Sequence, residues 1–307
     1  MRSIDYVITY VDDSDPNWVM AYLDFCQDNG YPIKVGSSRF RNPRTLRYHL
    51  RAIEEYFQFI RNVYLVVSDD SQVPRWINRD NVKIVYHKDI IPKKFLPTFN
   101  SNTIELFLHN IKGLSNDFIY ANDDTYPNYY LDKNCFFDKD NGNIRIKINY
   151  LNLDKANKTF SSMLRNTQNL VFKDTHKEPL KDKVMKSDHS IKPLKKGILD
   201  YFWNKHKKEL EESITPFRNK KNITIELCNF YYYLIGVYSE KFINCKYIEY
   251  DINNLDDIIN SINSNQIQVL CINDVSKFKG NYEEFNKKLI ETFEKKFPKY
   301  SRFENKI

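Results

Sequence analysis

The stretch IDYVITYVDDSDPNW occupies Ile4–Trp18 and decides how the rest of the chain is interpreted. Its first part, Ile4–Val11, is a short run of apolar and β-branched residues, which predicts a buried strand. The run stops at an acidic cluster of turn-forming residues, Asp12-Asp13-Ser14-Asp15-Pro16. A buried strand that ends in acids places charged side chains at the edge of a sheet.

Further strands and helices alternate along the first half of the chain. Strands are predicted over 62–67, 82–86 and 117–121, and helices after Pro43 and over 100–113, where apolar residues recur every three or four positions. Two of these strands also end in acids, one before Asp69 and Asp70 and one before Asp123 and Asp124. The alternation predicts an α/β fold with a mostly parallel, Rossmann- or GT-A-like sheet and helices on both faces. Ligands of such sheets bind at the carboxyl ends of the strands.

The pattern changes after about residue 150. Region 150–222 is polar and Lys-rich, with one helix predicted near 197–214, and we expect a helical lid or insertion on the α/β core. A helix over 224–237, a strand over 266–272 and a terminal amphipathic helix over 282–297 complete the prediction.

Composition limits the class of protein. The chain has 307 residues, of which 41% are hydrophobic, so it can bury a sizeable core, and its net charge of +7 favours anionic partners. Its apolar runs are far shorter than the ~20 residues of a membrane span, and its N-terminus has no secretion signal, so we expect a cytoplasmic protein. Five scattered Cys without a C-x-x-C pair disfavour a zinc or disulfide framework. Only 7 Gly occur, and a Gly-rich phosphate loop is absent from the sequence.

The acidic strand ends and a basic helix form the first candidate site. A Mg²⁺ or Mn²⁺ ion that neutralises a diphosphate takes oxygen ligands, which Asp123-Asp124 or the Asp12–Asp15 cluster can supply. Arg44, Arg47 and Arg51 share one helix face at i, i+3 and i+7, and guanidinium groups match phosphate oxygens. The alternatives are that the acids merely form turns and that the arginines form a solvated face.

Glu105 and His109 form a second candidate pair. They are spaced i, i+4 on the predicted helix, where a carboxylate and an imidazole can act as base and orienting group. The alternative is structural, because Asn102-x-x-Glu105 has the pattern of a capping box. His189 and Arg218, each taken alone, fit an ordinary surface residue better than a site.

In order and spacing, four blocks of the sequence resemble the Stealth proteins, a family that includes bacterial capsule phosphotransferases and the animal GlcNAc-1-phosphotransferase. The first block is Ile4–Trp18, in which Asp13 stands where the family usually has Gly. The second, Arg39–Asp124, includes RFRNPRTLRYHLRAIEEY and LPTFNSNTIELFLHNIKGLSNDFIYANDD. The third runs from His189 through FRNKKNITIELCNFYYYL, and the fourth joins CIND at 271–274 to FPKYSRFE at 297–304.

The resemblance implies an activity. An enzyme of this family transfers a hexose (N-acetylhexosamine) 1-phosphate from a UDP-sugar to an acceptor sugar hydroxyl, forms a phosphodiester and releases UMP in capsule or surface polysaccharide biosynthesis. The catalytic residues that it implies are Glu105, Asp124, His189 and Arg218, with Asp124 or His189 deprotonating the acceptor. Substrate binding is implied for Asp12, Asp13, Ser14, Asp15, Arg47, Arg51, Asn100, His109 and Asn273. Metal binding, with Mg²⁺ or Mn²⁺ as the cofactor, is implied for Asp123, Asp124 and Asp274.

The resemblance, the change of pattern after about residue 150 and the net charge together predict a domain division and partners. We expect a single catalytic domain over 1–307, in which 1–130 binds the nucleotide sugar, 150–222 is the lid or insertion and 223–307 completes the site. The expected partners are a UDP-sugar, a lipid-linked or growing polysaccharide acceptor and the anionic inner membrane face, but no nucleic acid. Two other functions stay open: a metal-dependent GT-A glycosyltransferase that releases UDP, and a non-catalytic polysaccharide-binding protein.

Overall fold

The computed structural model describes residues 3–34, 40–153, 158–274, 278 and 281–305, so Arg39 lies outside the described residues. The strands are β1 Ile4–Thr9, β2 Ile60–Val67, β3 Val82–Tyr86, β4 Asp117–Asn122, β5 Thr125–Pro127, β6 Arg145–Ile146, β7 Ile148–Asn152, β8 Lys183–Ser187, β9 Lys192–Lys195, β10 Ser239–Glu240, β11 Cys245–Tyr250 and β12 Val269–Asp274. The helices are α1 Pro16–Asp28, α2 Leu46–Tyr56, α3 His87–Ile90, α4 Ser101–Leu106, α5 Lys158–Thr175, α6 Lys196–Lys205, α7 Lys207–Ser213, α8 Glu226–Leu234, α9 Leu255–Asn263 and α10 Tyr282–Lys296.

The central sheet has the strand order β3-β2-β1-β4-β9. Its first four strands are parallel, and β9 joins β4 in antiparallel orientation. Ile8 of β1 pairs with Leu65 on one side and Ala121 on the other, so β1 lies in the middle of the sheet. The predicted α/β class with a mostly parallel sheet is confirmed.

Both faces of this sheet are covered, which explains why its strands are continuous apolar runs. Val7 points into a core shared with α4, α5, α6 and α8, whereas its neighbours Tyr6 and Ile8 point into a second core that includes Leu50 and Ile53 of α2. The alternation follows from the two-residue period of a strand.

A smaller sheet, β11-β12-β5, stands beside the end of β4. Cys271 of β12 pairs with Thr125 of β5 in antiparallel orientation, and Thr125 directly follows the Asp123-Asp124 turn. Helices α9 and α10 cover this sheet with a core of their own. The C-terminal part of the chain is thereby held against the acidic tip of β4.

Region 150–222 is built into the core at several points. Strands β7 and β8 form an antiparallel pair, and β9 is part of the central sheet. The single helix predicted over 197–214 is wrong, because the chain leaves helical geometry at His206 (φ −124°, ψ 35°) and forms α6 and α7 instead. The buried His206 ring bonds there to Asp174 at 2.8 Å. Among the described residues, the structure has no helix long and apolar enough to cross a membrane.

The helix predicted over 100–113 is also wrong, since α4 ends at Leu106 and a 3₁₀ turn follows over 108–110. The carbonyl of Leu106 explains the break. It accepts the indole N–H of Trp203 at 2.8 Å and lies 3.0 Å from Nδ1 of His109. Side chains thus satisfy a carbonyl that a longer helix would have used.

Candidate active site

The acidic turns meet at the carboxyl edge of the central sheet, as parallel pairing of β1, β2 and β4 requires. The turn after β1 is anchored to the turn after β2 by Gln72. The side chain of Gln72 accepts from the N–H of Asp12 at 2.7 Å and donates to Asp15 at 2.9 Å. Asp15 also caps α1, and Ser14 donates to Asp12 at 2.6 Å. The loop therefore uses several of its polar groups to hold its own shape.

Asp13 and the Asp123-Asp124 turn bring half-buried aspartates to this edge. Burial raises the pKa of Asp13. Burial, followed by the charge of neighbouring Asp124, raises the pKa of Asp123 to about 7, although backbone N–H groups including that of Val11 oppose the rise. Asp124 is tied to the smaller sheet, because its carbonyl accepts from the N–H of Ile272 at 2.9 Å. The turn thus presents two adjacent carboxylates at the edge of the sheet.

Arg47 and Arg51 lie on α2, as predicted, but both face the C-terminal segment. The buried Arg51 guanidinium donates to both carboxylate oxygens of Glu304, at 2.8 and 3.0 Å, and also to Glu294. Arg47 reaches the same Glu304 at 3.2 Å and lies over the ring of Trp76. The structure gives these arginines a role in fixing the end of the chain, and phosphate binding by them stays a prediction.

Glu105 projects from α4 onto the end of the central sheet. Its carboxylate accepts from the hydroxyl of Tyr120 at 3.0 Å, and that hydroxyl lies 3.0 Å from Thr9 and 2.6 Å from Asn122. Burial raises the pKa of Glu105 to about 7, while the bond from Tyr120 and the charge of Arg218 lower it. A carboxyl group that changes charge near neutral pH is suited to proton transfer or to orienting a reacting group.

The capping-box interpretation of Glu105 is wrong. Asn100, not Asn102, caps α4, and its side chain accepts from the N–H of Asn102 at 3.2 Å. The Glu105 carboxylate bonds to Tyr120, on the sheet, and not to the start of its own helix.

The start of α4 also positions Arg218. The side chain of Asn100 donates to the carbonyl of Thr215 at 3.0 Å and to Asn222 at 3.1 Å, so it ties both sides of the Arg218 loop. The guanidinium of Arg218 is exposed and donates to Ser101 at 3.1 Å. One short helix therefore holds the Glu105 carboxylate and the Arg218 loop next to each other.

His189 lies in the short connection between β8 and β9, and Lys192 closes that connection. The ammonium of Lys192 donates to the hydroxyl of Ser187 at 3.0 Å and to the carbonyl of Asp188 at 3.3 Å, and it pairs with Glu226 at 2.6 Å. Desolvation lowers the pKa of His189, and the charge of Asp124 opposes that shift. The imidazole is therefore favoured in its neutral form, which can accept a proton.

The Lys192–Glu226 ion pair influences two of the predicted catalytic residues, Glu105 and His189. The charge of Lys192 lowers the pKa of both Glu105 and His189, and the charge of Glu226 raises both. In addition, the charge of Arg218 lowers the pKa of Glu105, and the charge of Asp124 raises the pKa of His189. Ligand atoms of Asp124 and His189 lie within 4.8 Å of each other. Glu105 and Ser101, the hydrogen-bond partner of Arg218, both lie on α4.

Other predicted site residues lie apart from this group or at its margin. His109 is buried and its ring stacks on Phe107 and Trp203, at centroid distances of 6.4 and 6.0 Å. Asp274 pairs with Arg41 at 3.0 Å. Asn273 donates to the carbonyl of Asp274 at 3.2 Å. Burial raises the pKa of nearby Tyr247, and a hydrogen bond with the Asn273 side chain opposes that rise.

Sequence reasoning missed Lys192, Glu226, Tyr120 and Cys271. Lys192 is one of many lysines in its region, and Glu226 is simply the first residue of a helix. Cys271 lies beside Asp124 and His189, and the three form a group of metal-ligand type within the part of the chain that the structure describes. The sequence contained one signal for these four residues: each lies within or beside a block that carries the family resemblance.

Comparison with known proteins supports the same blocks. Residues 39–145 match the conserved region described as Stealth protein CR2, conserved region 2. Two capsular polysaccharide phosphotransferases of Streptococcus pneumoniae are 29% and 30% identical to the chain, and each alignment covers 100% of the chain and 99% of the relative. An exopolysaccharide phosphotransferase of Lactiplantibacillus plantarum is 28% identical over 98% of the chain and 96% of its own length.

Proposed function

The chain belongs to the Stealth family and is a transferase, and we propose that it transfers a hexose (N-acetylhexosamine) 1-phosphate from a UDP-sugar to a hydroxyl of an acceptor sugar. The products are a phosphodiester and UMP. The observation that carries the proposal is geometric: ligand atoms of Asp124 and His189 lie within 4.8 Å of each other, and α4 carries both Glu105 and Ser101, the partner of Arg218. Because its relatives are named for capsular polysaccharide and exopolysaccharide, we assign the reaction to capsule or surface polysaccharide biosynthesis.

In the proposed step, the acceptor oxygen attacks the phosphorus that carries the sugar. The new P–O bond joins the acceptor to that phosphorus, and the bond from the phosphorus to the bridging oxygen of the diphosphate breaks. UMP leaves with the bridging oxygen and its electron pair, while the bond between sugar and phosphate stays intact. Negative charge is spread over phosphoryl oxygens, so positioning and fixed positive charge dominate such catalysis.

The residues divide this work by their chemistry. His189 or Asp124 removes the acceptor proton, since both offer a basic atom at the same side of the site. Arg218 binds the transferring phosphoryl group, because its exposed guanidinium is held in place through Ser101. Glu105 orients the donor or the base from its bond to Tyr120.

The donor set of the Asp123-Asp124 turn fits a Mg²⁺ or Mn²⁺ ion. Such an ion takes one or two carboxylates and completes its shell with phosphate oxygens and water, and it would supply charge neutralisation for the diphosphate. Burial and the adjacent charge of Asp124 raise the pKa of Asp123, a shift that a cation bound at the turn would oppose. Asp274, which pairs with Arg41, is the third proposed ligand.

The proposal extends to the domain division and partners. We assign nucleotide-sugar binding to 1–130, closure of the site to 150–222 and its completion to 223–307, all within one catalytic domain. The acceptor is a growing or lipid-linked polysaccharide. The net charge of +7 supports contact with an anionic membrane surface, where such acceptors are held.

The test identifies the nucleotide that is released. The protein is incubated with Mg²⁺, a panel of UDP-hexoses and UDP-N-acetylhexosamines and capsular oligosaccharide acceptors, and nucleotides are separated by chromatography. UMP in step with phosphodiester is expected, and it should disappear with Asp124→Asn but persist with the exposed-site control Asp80→Asn. UDP in step with a glycoside would instead establish a glycosyltransferase. Oligosaccharide binding without turnover of any donor would leave a polysaccharide-binding protein.

A further inference from the structure

Three side chains from separate parts of the chain place ligand atoms together beside the candidate site. One carboxylate oxygen of Asp124, one ring nitrogen of His189 and the sulfur of Cys271 all lie within 4.8 Å of one another. Among the described residues, these three form a group of possible metal ligands close enough together to hold one ion. The sequence separations of 65 and 82 residues explain why motif spacing did not indicate it.

Each of the three is held by rigid structure. Cys271 is fully buried in β12 and pairs with Thr125, next in the chain to Asp124. The His189 connection is closed by Lys192, and its ring stands edge-on to Tyr247 at a centroid distance of 5.4 Å. Ligands on strands and closed connections keep their geometry better than ligands on open loops.

We propose that Asp124, His189 and Cys271 form a binding site for a thiophilic divalent ion of the Zn²⁺ class, distinct in chemistry from the Mg²⁺ that accompanies a diphosphate. Around tetrahedral zinc, with metal–ligand bonds of about 2.0–2.3 Å, ligand atoms stand about 3.3–3.6 Å apart. The three side chains therefore close by no more than about 1.5 Å to reach that geometry. On binding, the thiol releases its proton to solvent and the sulfur coordinates as thiolate.

The donor types decide which ions bind. A thiolate and an imidazole suit Zn²⁺ and Co²⁺, whereas Mg²⁺ requires oxygen ligands in an octahedron. Three protein ligands leave the fourth tetrahedral position open to water or a substrate oxygen. Selectivity for a borderline ion thus follows from one buried sulfur.

Occupancy has a consequence for the proposed transfer reaction, and this consequence alone rests on the proposed function. The ion would use the lone pairs of Asp124 and His189, one of which is proposed to accept the acceptor proton, and it would compete with Mg²⁺ for Asp124. We therefore expect Zn²⁺ to inhibit transfer in the presence of excess Mg²⁺.

The first experiment measures binding without any turnover. Co²⁺ is titrated into the metal-free full-length protein, and the near-ultraviolet thiolate-to-cobalt absorption is recorded. The expected result is one equivalent bound with this absorption, and Cys271→Ser should remove the band and weaken binding at least about 100-fold, because loss of an outer-shell partner already costs 10–100-fold. Cys135→Ser, at a half-buried thiol outside the group, is the matched control and should leave both unchanged. No band in the wild type, or a band that survives Cys271→Ser, overturns the site.

A second variant keeps the test valid if Cys271→Ser fails to fold. His189→Gln keeps the thiol and removes the nitrogen ligand, so it should retain a thiolate band at much higher Co²⁺ concentration. Unchanged affinity in this variant would also refute the site. Zn²⁺ inhibition of UMP release is measured separately: inhibition that Cys271→Ser weakens at least tenfold supports overlap with the catalytic residues. Binding without inhibition would leave the ion site intact and remove Asp124 and His189 from proton transfer.

Discussion

Replacing the buried Glu105 by Gln should stabilise the protein in a pH-dependent way. Glu105 is 7% exposed, and its carboxylate accepts a hydrogen bond from Tyr120, which Gln can also accept through its amide oxygen. Gln imitates the protonated form of Glu in shape and charge. The variant therefore removes the ionisation and little else.

The magnitude follows from the pKa. Burial raises the pKa of Glu105 from 4.5 to about 7 in the fold, a change that corresponds to roughly 3 kcal/mol. Between these two values the folded protein holds a proton that the unfolded chain has released, so wild-type stability falls as pH rises through this window. The gain from Glu105→Gln should be about 1 kcal/mol at pH 5 and about 3 kcal/mol at pH 8.

Thermal unfolding at pH 5 and pH 8 tests this directly. At roughly 2 °C per kcal/mol for a chain of this size, the variant should melt about 5–6 °C above the wild type at pH 8 and about 2 °C above it at pH 5. Glu212→Gln, at an exposed position of α7, is the control and should give the same small difference at both pH values.

Two results would refute the reasoning. A difference in melting temperature that is the same at both pH values would show that Glu105 ionises normally in the fold. A variant that is stabilised and also keeps full UMP release would show that the carboxylate is not needed for transfer. The expected combination is a more stable protein with lost activity, which is typical of a site residue whose charge strains the fold.

The remaining predictions separate catalysis from structure. Arg218→Lys should lower kcat by on the order of 100-fold, the scale of one lost transition-state donor, with an unchanged melting temperature, and steady-state kinetics beside the exposed control Arg75→Lys would expose a general effect of the exchange. Glu304→Gln should lower the free energy of unfolding by about 3 kcal/mol, because it breaks the buried pair with Arg51, whereas Glu54→Gln, which breaks a half-exposed pair, should cost under about 1 kcal/mol by urea denaturation. Equal losses in the two glutamate variants would contradict the buried role.

The central sheet was predictable because each of its parallel strands is marked by a short apolar run of adjacent residues. A strand covered on both faces must be apolar throughout, so runs such as Ile4–Val11 stand out from the polar sequence around them. The acidic turns were predictable for a similar reason, since parallel strands bring their carboxyl ends to one edge. The antiparallel addition of β9 was not, because Lys192–Lys195 has only one fully apolar pair, Pro193 and Leu194, to mark it.

Both helix errors arose from tertiary contacts that periodicity does not contain. α4 stops because Trp203, almost a hundred residues away, donates to the carbonyl of Leu106. The helix after 196 breaks at His206, whose ring is held by Asp174. In each case a hydrogen bond to a residue distant in sequence outweighed the apolar pattern.

The candidate site shows the same division between local and distant information. Asp123 and Asp124 were visible as strand-end acids, whereas Lys192 looked like any other residue of a Lys-rich surface. Its importance comes from what surrounds it: it closes the His189 connection and pairs with Glu226 at 2.6 Å. The sequence alone does not distinguish a solvated lysine from one that forms a half-buried ion pair, and only the fold does.

The placement of the arginines and acids suggests why the family blocks are longer than any site requires. Arg51 sits in the second block and Glu304 in the fourth, and their buried bidentate pair joins α2 to the end of the chain. The second block also contains Asn100, which ties the Arg218 loop to α4 through Thr215 and Asn222. A phosphoryl-transfer site whose groups come from four distant segments gains little from any one group unless all are held within about 0.5 Å of their working positions. We infer that the buried polar pairs within these blocks serve the proposed site by fixing the distances between its segments.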